Sequence, residues 1–147
     1  MSLFDKINDD IKTAMKTKDK EKLEALRAIK SDLLLLRTSG KAEVSEEMEI
    51  QALQKMIKQR KESARIYAGE NRKELAEKEL KEAAFMEPYL PKQFSEEEIE
   101  EKVKQIIQRT GASGMQDMGK VMGEAVKQMK GKAEGSVIAS KVKEFLA

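Results

Sequence analysis

Apolar residues recur along this chain at intervals of three and four, and no segment alternates long enough to make a strand, so the pattern predicts helices throughout. The longest run extends from Ser45, a natural N-cap, to Tyr67, with Gly69 placed to end the helix in a left-handed residue. At about 100° per residue, Ile50, Leu53, Met56, Ile57, Ala64 and Tyr67 share one arc. Lys55, Lys58, Lys61 and Arg65 gather on another. Arg60 interrupts the apolar arc, and three readings of it are open. Its stem can pack while its head reaches water, it can pair with Glu79 or Glu82 of a neighbouring helix, or it can be held for a ligand. Structural pairing is the expectation, because an unpaired buried charge is very costly.

The same periodicity places the other helices. Ser2 and Asp5 form a capping box ahead of Leu3, Phe4, Ile7, Ile11 and Met15. Asp19 caps a second helix carrying Leu23, Leu26, Ile29, Leu33 and Leu36, and the TSG at 38–40 stops it. Asn71 to Glu74 reads as another capping box, opening a helix that Pro88 ends. Both prolines of the chain fall in PYLPKQF at 88–94, the clearest boundary. Ser95 and Glu98 then make the best-specified helix start, with Phe94 placed to staple against Ile99. A helix from about Asp117 to Lys130 turns Val121, Met122, Ala125, Val126 and Met129 inward, with Gly119 and Gly123 allowing close helix packing. After the turn GKAEG at 131–135, Val137, Ile138, Val142, Phe145 and Leu146 build the last helix. The expected fold is all-α: an N-terminal helical hairpin array of about four helices over 1–90, then a small C-terminal domain of about three over 91–147.

Composition narrows the chemistry more than it directs it. With 147 residues, 39% hydrophobic and 38% charged, the chain can bury a core and is not of disordered type. A net charge of +2 makes any nucleic-acid surface a local patch rather than a global field. The absence of Cys and His removes disulfides, thiolate nucleophiles and the commonest metal ligands, so neither a metal nor a cofactor is expected. No apolar run approaches the ~20 residues of a bilayer span, and the start MSLFDKIN has no signal-peptide core, so a cytoplasmic protein with no membrane partner is expected.

Catalytic residues are not in view, since no Ser–Lys pairing has a supporting spacing and no nucleotide loop is present. Lys55, Lys58, Lys61 and Arg65 form the first candidate phosphate clamp; a solvated helix face is the equal alternative. Lys120, Lys127, Lys130 and Lys132 form the second. Arg27 and Lys30, at the edge of and within the second helix's stripe, are expected to reach out to solvent.

Five ordered blocks carry a resemblance: LRAIKS at 26–31, LQKMIKQRKESARIY at 53–67, YLPKQFSEEEIEE at 89–101, DMGKVMG at 117–123 and GKAEG at 131–135. Together they resemble the YqeY-like family, which is similar to the C-terminal, tRNA-binding tail domain of the tRNA-dependent (Asp/Glu-tRNA) amidotransferases. The resemblance implies a helical N-terminal domain and a small helical C-terminal domain. It also implies a non-catalytic module that binds structured RNA, first of all tRNA, since the amidotransferase tail helps to hold the tRNA elbow. Two alternatives accompany it: a helical adaptor with a protein partner, and an accessory component of a carbon–nitrogen ligase using glutamine as amido-N-donor. The family turn reads Gly–basic–Ala–Asp–Gly, and Glu134 stands here for the Asp, a poorer cap for the last helix.

Overall fold

The computed structural model describes residues 2–40 and 43–147. Among them are seven α-helices and no strand: α1 (Leu3–Lys16), α2 (Lys20–Ser39), α3 (Glu46–Gly69), α4 (Lys73–Met86), α5 (Glu96–Thr110), α6 (Met118–Met129) and α7 (Gly135–Leu146), with 3-10 turns at Glu87–Tyr89 and Met115–Asp117. The fold is all-α. The chain divides into two compact units, Met1–Leu90 and Pro91–Ala147.

Four helix starts follow local side-chain chemistry, and those of α4, α6 and α7 have no side-chain cap bond. The Ser2 hydroxyl accepts the Asp5 amide at 3.1 Å, and the Asp5 carboxylate accepts the Ser2 amide at 3.4 Å. Ser95 and Glu98 make the same reciprocal pair at 3.1 and 3.2 Å. Asp19 accepts from the Lys22 amide and Ser45 from the Met48 amide, each at 3.2 Å. Each such cap is worth about 1 kcal/mol. The capping box expected at Asn71–Glu74 does not form: Arg72 occupies the cap of α4 without a side-chain bond. Asn71 instead takes the left-handed conformation, φ 62°, that was expected of Gly69. Asn tolerates that region, and the Arg72 amide closes the end of α3 by donating to the Tyr67 carbonyl at 2.8 Å.

In the large unit α1 packs on α2, α3 on α4, and α2 also against α4. Ile7, Ile11, Leu26, Ile29, Leu33, Leu53, Met56, Ile57 and Met86 meet in one core, each large side chain contributing about 1.5–3 kcal/mol by its burial. The two ends of the unit's chain are joined by Tyr89, whose hydroxyl donates to the Asp10 carboxylate of α1 at 2.5 Å. Burial, with this bond second, pushes the phenol well above its ordinary value. Met15 departs from the expected stripe. It is 54% exposed, and Ala14, on the axis of Ile7 and Ile11, takes the buried place.

The small unit packs α5, α6 and α7 around Ile99, Val103, Ile106, Val121, Ala125, Met129, Ile138, Val142 and Leu146, with Phe94 against the same cluster. Its entering segment is bonded to the α6–α7 turn: the Phe94 amide donates to the Lys132 carbonyl and the Gln93 side chain to the Gly131 carbonyl, each at 2.8 Å. Gly131 has φ 77°, a left-handed value that glycine adopts with no Cβ penalty. Two expectations for α6 are corrected. Val126 lies a helical step off the Val121–Ala125–Met129 axis and stays 39% exposed. Gly119 and Gly123 have open space where a Cβ would stand, so they serve no helix packing.

Candidate nucleic-acid interface

The four cations of α3 are exposed on one side of the helix, and acids from within the large unit engage most of them. Lys61 Nζ lies 2.9 Å from Glu87 Oε1. Arg65 forks onto Glu62, with Nε to Oε2 at 3.3 Å and Nη2 to Oε1 at 2.5 Å. Those hydrogen bonds hold the Glu62 carboxyl below its ordinary range and push Arg65 up, and Lys58 adds its field to Glu62. Lys55 makes no ion pair among the described residues. Exposed pairs of this kind separate easily, yet they reduce the net positive charge that a phosphate backbone would meet.

Arg60 belongs to a different environment. Its Nε donates to Glu82 Oε2 at 2.9 Å and stands 3.9 Å from Glu79 Oε2, and all three side chains are three-quarters or more buried. The guanidinium thus ties α3 to α4. Arg27 is exposed and Lys30 half-buried.

Lys120, Lys127, Lys130 and Lys132 are all exposed in the small unit. Lys120 and Lys127 are two turns apart on one side of α6, and neither makes an ion pair among the described residues. The neighbouring acid, Glu124, is held instead by Arg109 at 2.7 Å and Gln128 at 3.0 Å. The hydrogen bonds from Gln128 and Arg109 hold its carboxyl below the ordinary range. Lys132 Nζ sits 5.6 Å from the centre of the Phe94 ring, and Lys130 has an interaction of its own. Beside the lysines, the bare backbone at Gly119 and Gly123 leaves open space where a ligand can come close.

Three features lay outside the sequence-based expectations. Glu49 is 3% exposed in the first turn of α3, and its spacing to Leu53 and Met56 was the signal that it faces inward. Lys141 of α7 is gripped by Glu96 and Glu100, both at 2.7 Å, with Glu144 at 3.7 Å. Leu35 of α2 stands 62% exposed. Among the described residues no group of acids is arranged to hold a metal, and no helix is long and apolar enough to cross a membrane.

A protein-family model described as "Yqey-like protein" matches residues 4–146. Two similar relatives are both called "Altered inheritance of mitochondria protein 41, mitochondrial". The one from Pyrenophora tritici-repentis is 29% identical over 139 residues, covering 92% of this chain and 76% of the relative. The one from Clavispora lusitaniae is 32% identical over 114 residues, covering 76% of this chain and 66% of the relative. These relatives overturn the cytoplasmic expectation, since both are named as mitochondrial. That expectation rested on a missing membrane span and signal-peptide core, and neither feature separates cytoplasm from the interior of a mitochondrion.

Proposed function

The chain belongs to the Yqey-like protein family, and on that footing we propose that it is an RNA-binding helical module gripping folded tRNA through phosphate contacts on α6. The observation that carries this reading is the pair Lys120 and Lys127, exposed, free of ion pairs among the described residues and set beside the open backbone of Gly119 and Gly123. Lys130 and Lys132 extend the same charge toward the α6–α7 turn. Structured RNA is recognised largely by shape and phosphate contacts, which ask for cations on a stable support and not for base-reading side chains. Here the support is a three-helix core. On α3, by contrast, Lys61 and Arg65 already have carboxylate partners, which makes that stripe the weaker clamp.

The test compares three proteins: wild type, a quadruple Gln variant at 120, 127, 130 and 132, and a quadruple Gln variant at 55, 58, 61 and 65. Each is titrated with folded tRNA and an unrelated hairpin at two salt concentrations. The α6 variant is expected to bind tRNA more weakly and to lose about one unit of salt slope for each lysine that met a phosphate. The α3 variant should bind nearly as wild type does. Equal, feeble binding of all three proteins to both RNAs rejects the RNA reading, and a loss confined to the α3 variant moves the site to that helix.

A further inference from the structure

We propose that the groove between α2 and α3 is the contact through which two copies of this chain pair. Asp32, Leu35 and Leu36 form its α2 wall, and Met48, Ala52 and Lys55 stand on its α3 wall. Leu35 is 62% exposed and Met48 40%, so the groove offers apolar surface that no described residue of the large unit covers. A charge of opposite sign sits on each wall, and neither Asp32 nor Lys55 makes an ion pair among the described residues.

The distribution of these groups selects a second copy as the occupant. A twofold contact must complement itself, because each position meets its counterpart across the axis. Helices α2 and α3 are consecutive, in contact and joined by a short connection, so they run in opposite directions. Ser39 and Met48 therefore belong to the connection end of the groove, and Asp32 and Lys55, one on each wall, to its other end. A twofold axis along the groove lays α2 of one copy over α3 of the other. That operation sets each Asp32 against Lys55 of the second copy, twice in the same contact. It also lowers the protruding Leu35 toward the small side chain of Ala52, a large residue over a small one. A partner of unrelated sequence would have to supply the mirror of this arrangement; a second copy already carries it. The inference is independent of the RNA reading, which rests on the small unit.

Sedimentation equilibrium on the full chain over a wide concentration range tests the pairing. Wild type should rise from the 16.6 kDa monomer toward twice that mass as concentration increases. Leu35→Asp should remain monomeric, while Asp32→Lys alone and Lys55→Asp alone should each weaken association by about tenfold or more, by placing like charges together. The double reversal, Asp32→Lys with Lys55→Asp, should recover the dimer. Far-UV circular dichroism melts confirm that each variant is folded, which these exposed positions favour. A wild type that stays monomeric throughout overturns the pairing and leaves the groove to a helix of another protein. A dimer indifferent to Leu35→Asp, or a double reversal that fails to recover association, overturns it equally.

Discussion

The carboxylate of Glu49 stands 3.7 Å from the guanidinium of Arg37, too far for a hydrogen bond, and its Oε2 finds no other partner among the described residues. Arg37 itself rests 4.1 Å above the ring of Phe4, half in solvent. Burial raises the Glu49 pKa from its ordinary 4.5, and Arg37 offsets the rise only in part. An acid with a raised folded-state pKa binds its proton more tightly in the native state. The stability it costs is therefore absent below its unfolded pKa and grows as pH rises through the folded value. Glu49→Gln should then stabilise the protein at neutral pH by about 1–2 kcal/mol, with the gain vanishing toward pH 4. Melting temperatures of both proteins across that range decide the matter, and a gain independent of pH would show that charge is not the cause.

Arg60 should behave in the opposite sense. It is hydrogen-bonded to Glu82 and lies near Glu79, so truncation leaves two acids facing each other without a cation. Arg60→Ala is expected to cost about 2–3 kcal/mol, and Arg60→Met less, because the methionine keeps the packing of the stem. Chemical denaturation reads both, and an Arg60→Ala protein as stable as wild type would mean that the head group is merely solvated.

Lys141 gives the small unit its own pH dependence. The hydrogen bond from Lys141 holds Glu100 below its ordinary 4.5, and the bonds it donates to Glu100 and Glu96 push Lys141 up. A depressed carboxylate contributes stability that is present above its unfolded pKa and lost as pH falls through the folded value. Lys141→Met should lower the melting temperature of residues 91–147 at neutral pH and leave it nearly unchanged in strong acid. Equal melting temperatures at pH 7 would remove the network from any account of stability.

Residues 91–147 should also fold when expressed alone. Every member of their buried cluster lies at or beyond residue 94, and the large unit's cluster ends at Leu90. A cooperative thermal transition with helical circular dichroism is the expected result. A fragment lacking helical signal would show that the two clusters depend on each other.

How much of this was legible in the chain depends on what each feature required. The helices and most core positions follow from spacing alone, because one buried face repeats every 3.6 residues. Ser2, Asp19, Ser45 and Ser95 could be read as caps because their partners lie three residues away. Asn71 could not, since Asn serves equally well to end one helix or to start another, and the turn between α3 and α4 decided which. Met15 and Val126 were misread for a related reason: apolar identity says that a residue can be buried, and only the neighbouring helices say which step of the arc they cover. Partners for the cations of α3 and α6 were the least legible. Glu87 finds Lys61, and Arg109 draws Glu124 toward itself, only once the helices are packed.

The bond between Tyr89 and Asp10 joins residues 79 positions apart, and Tyr89 and Leu90 rest on the core that α1 helps to build. During synthesis the chain emerges N-terminus first, at about 5–20 residues per second. Helix α1 thus leaves the ribosome several seconds before Tyr89, the residue that bonds its Asp10. The large unit is sealed by the last part of it to be made, so its most vulnerable interval is set by the pace of translation and ends when Tyr89 arrives.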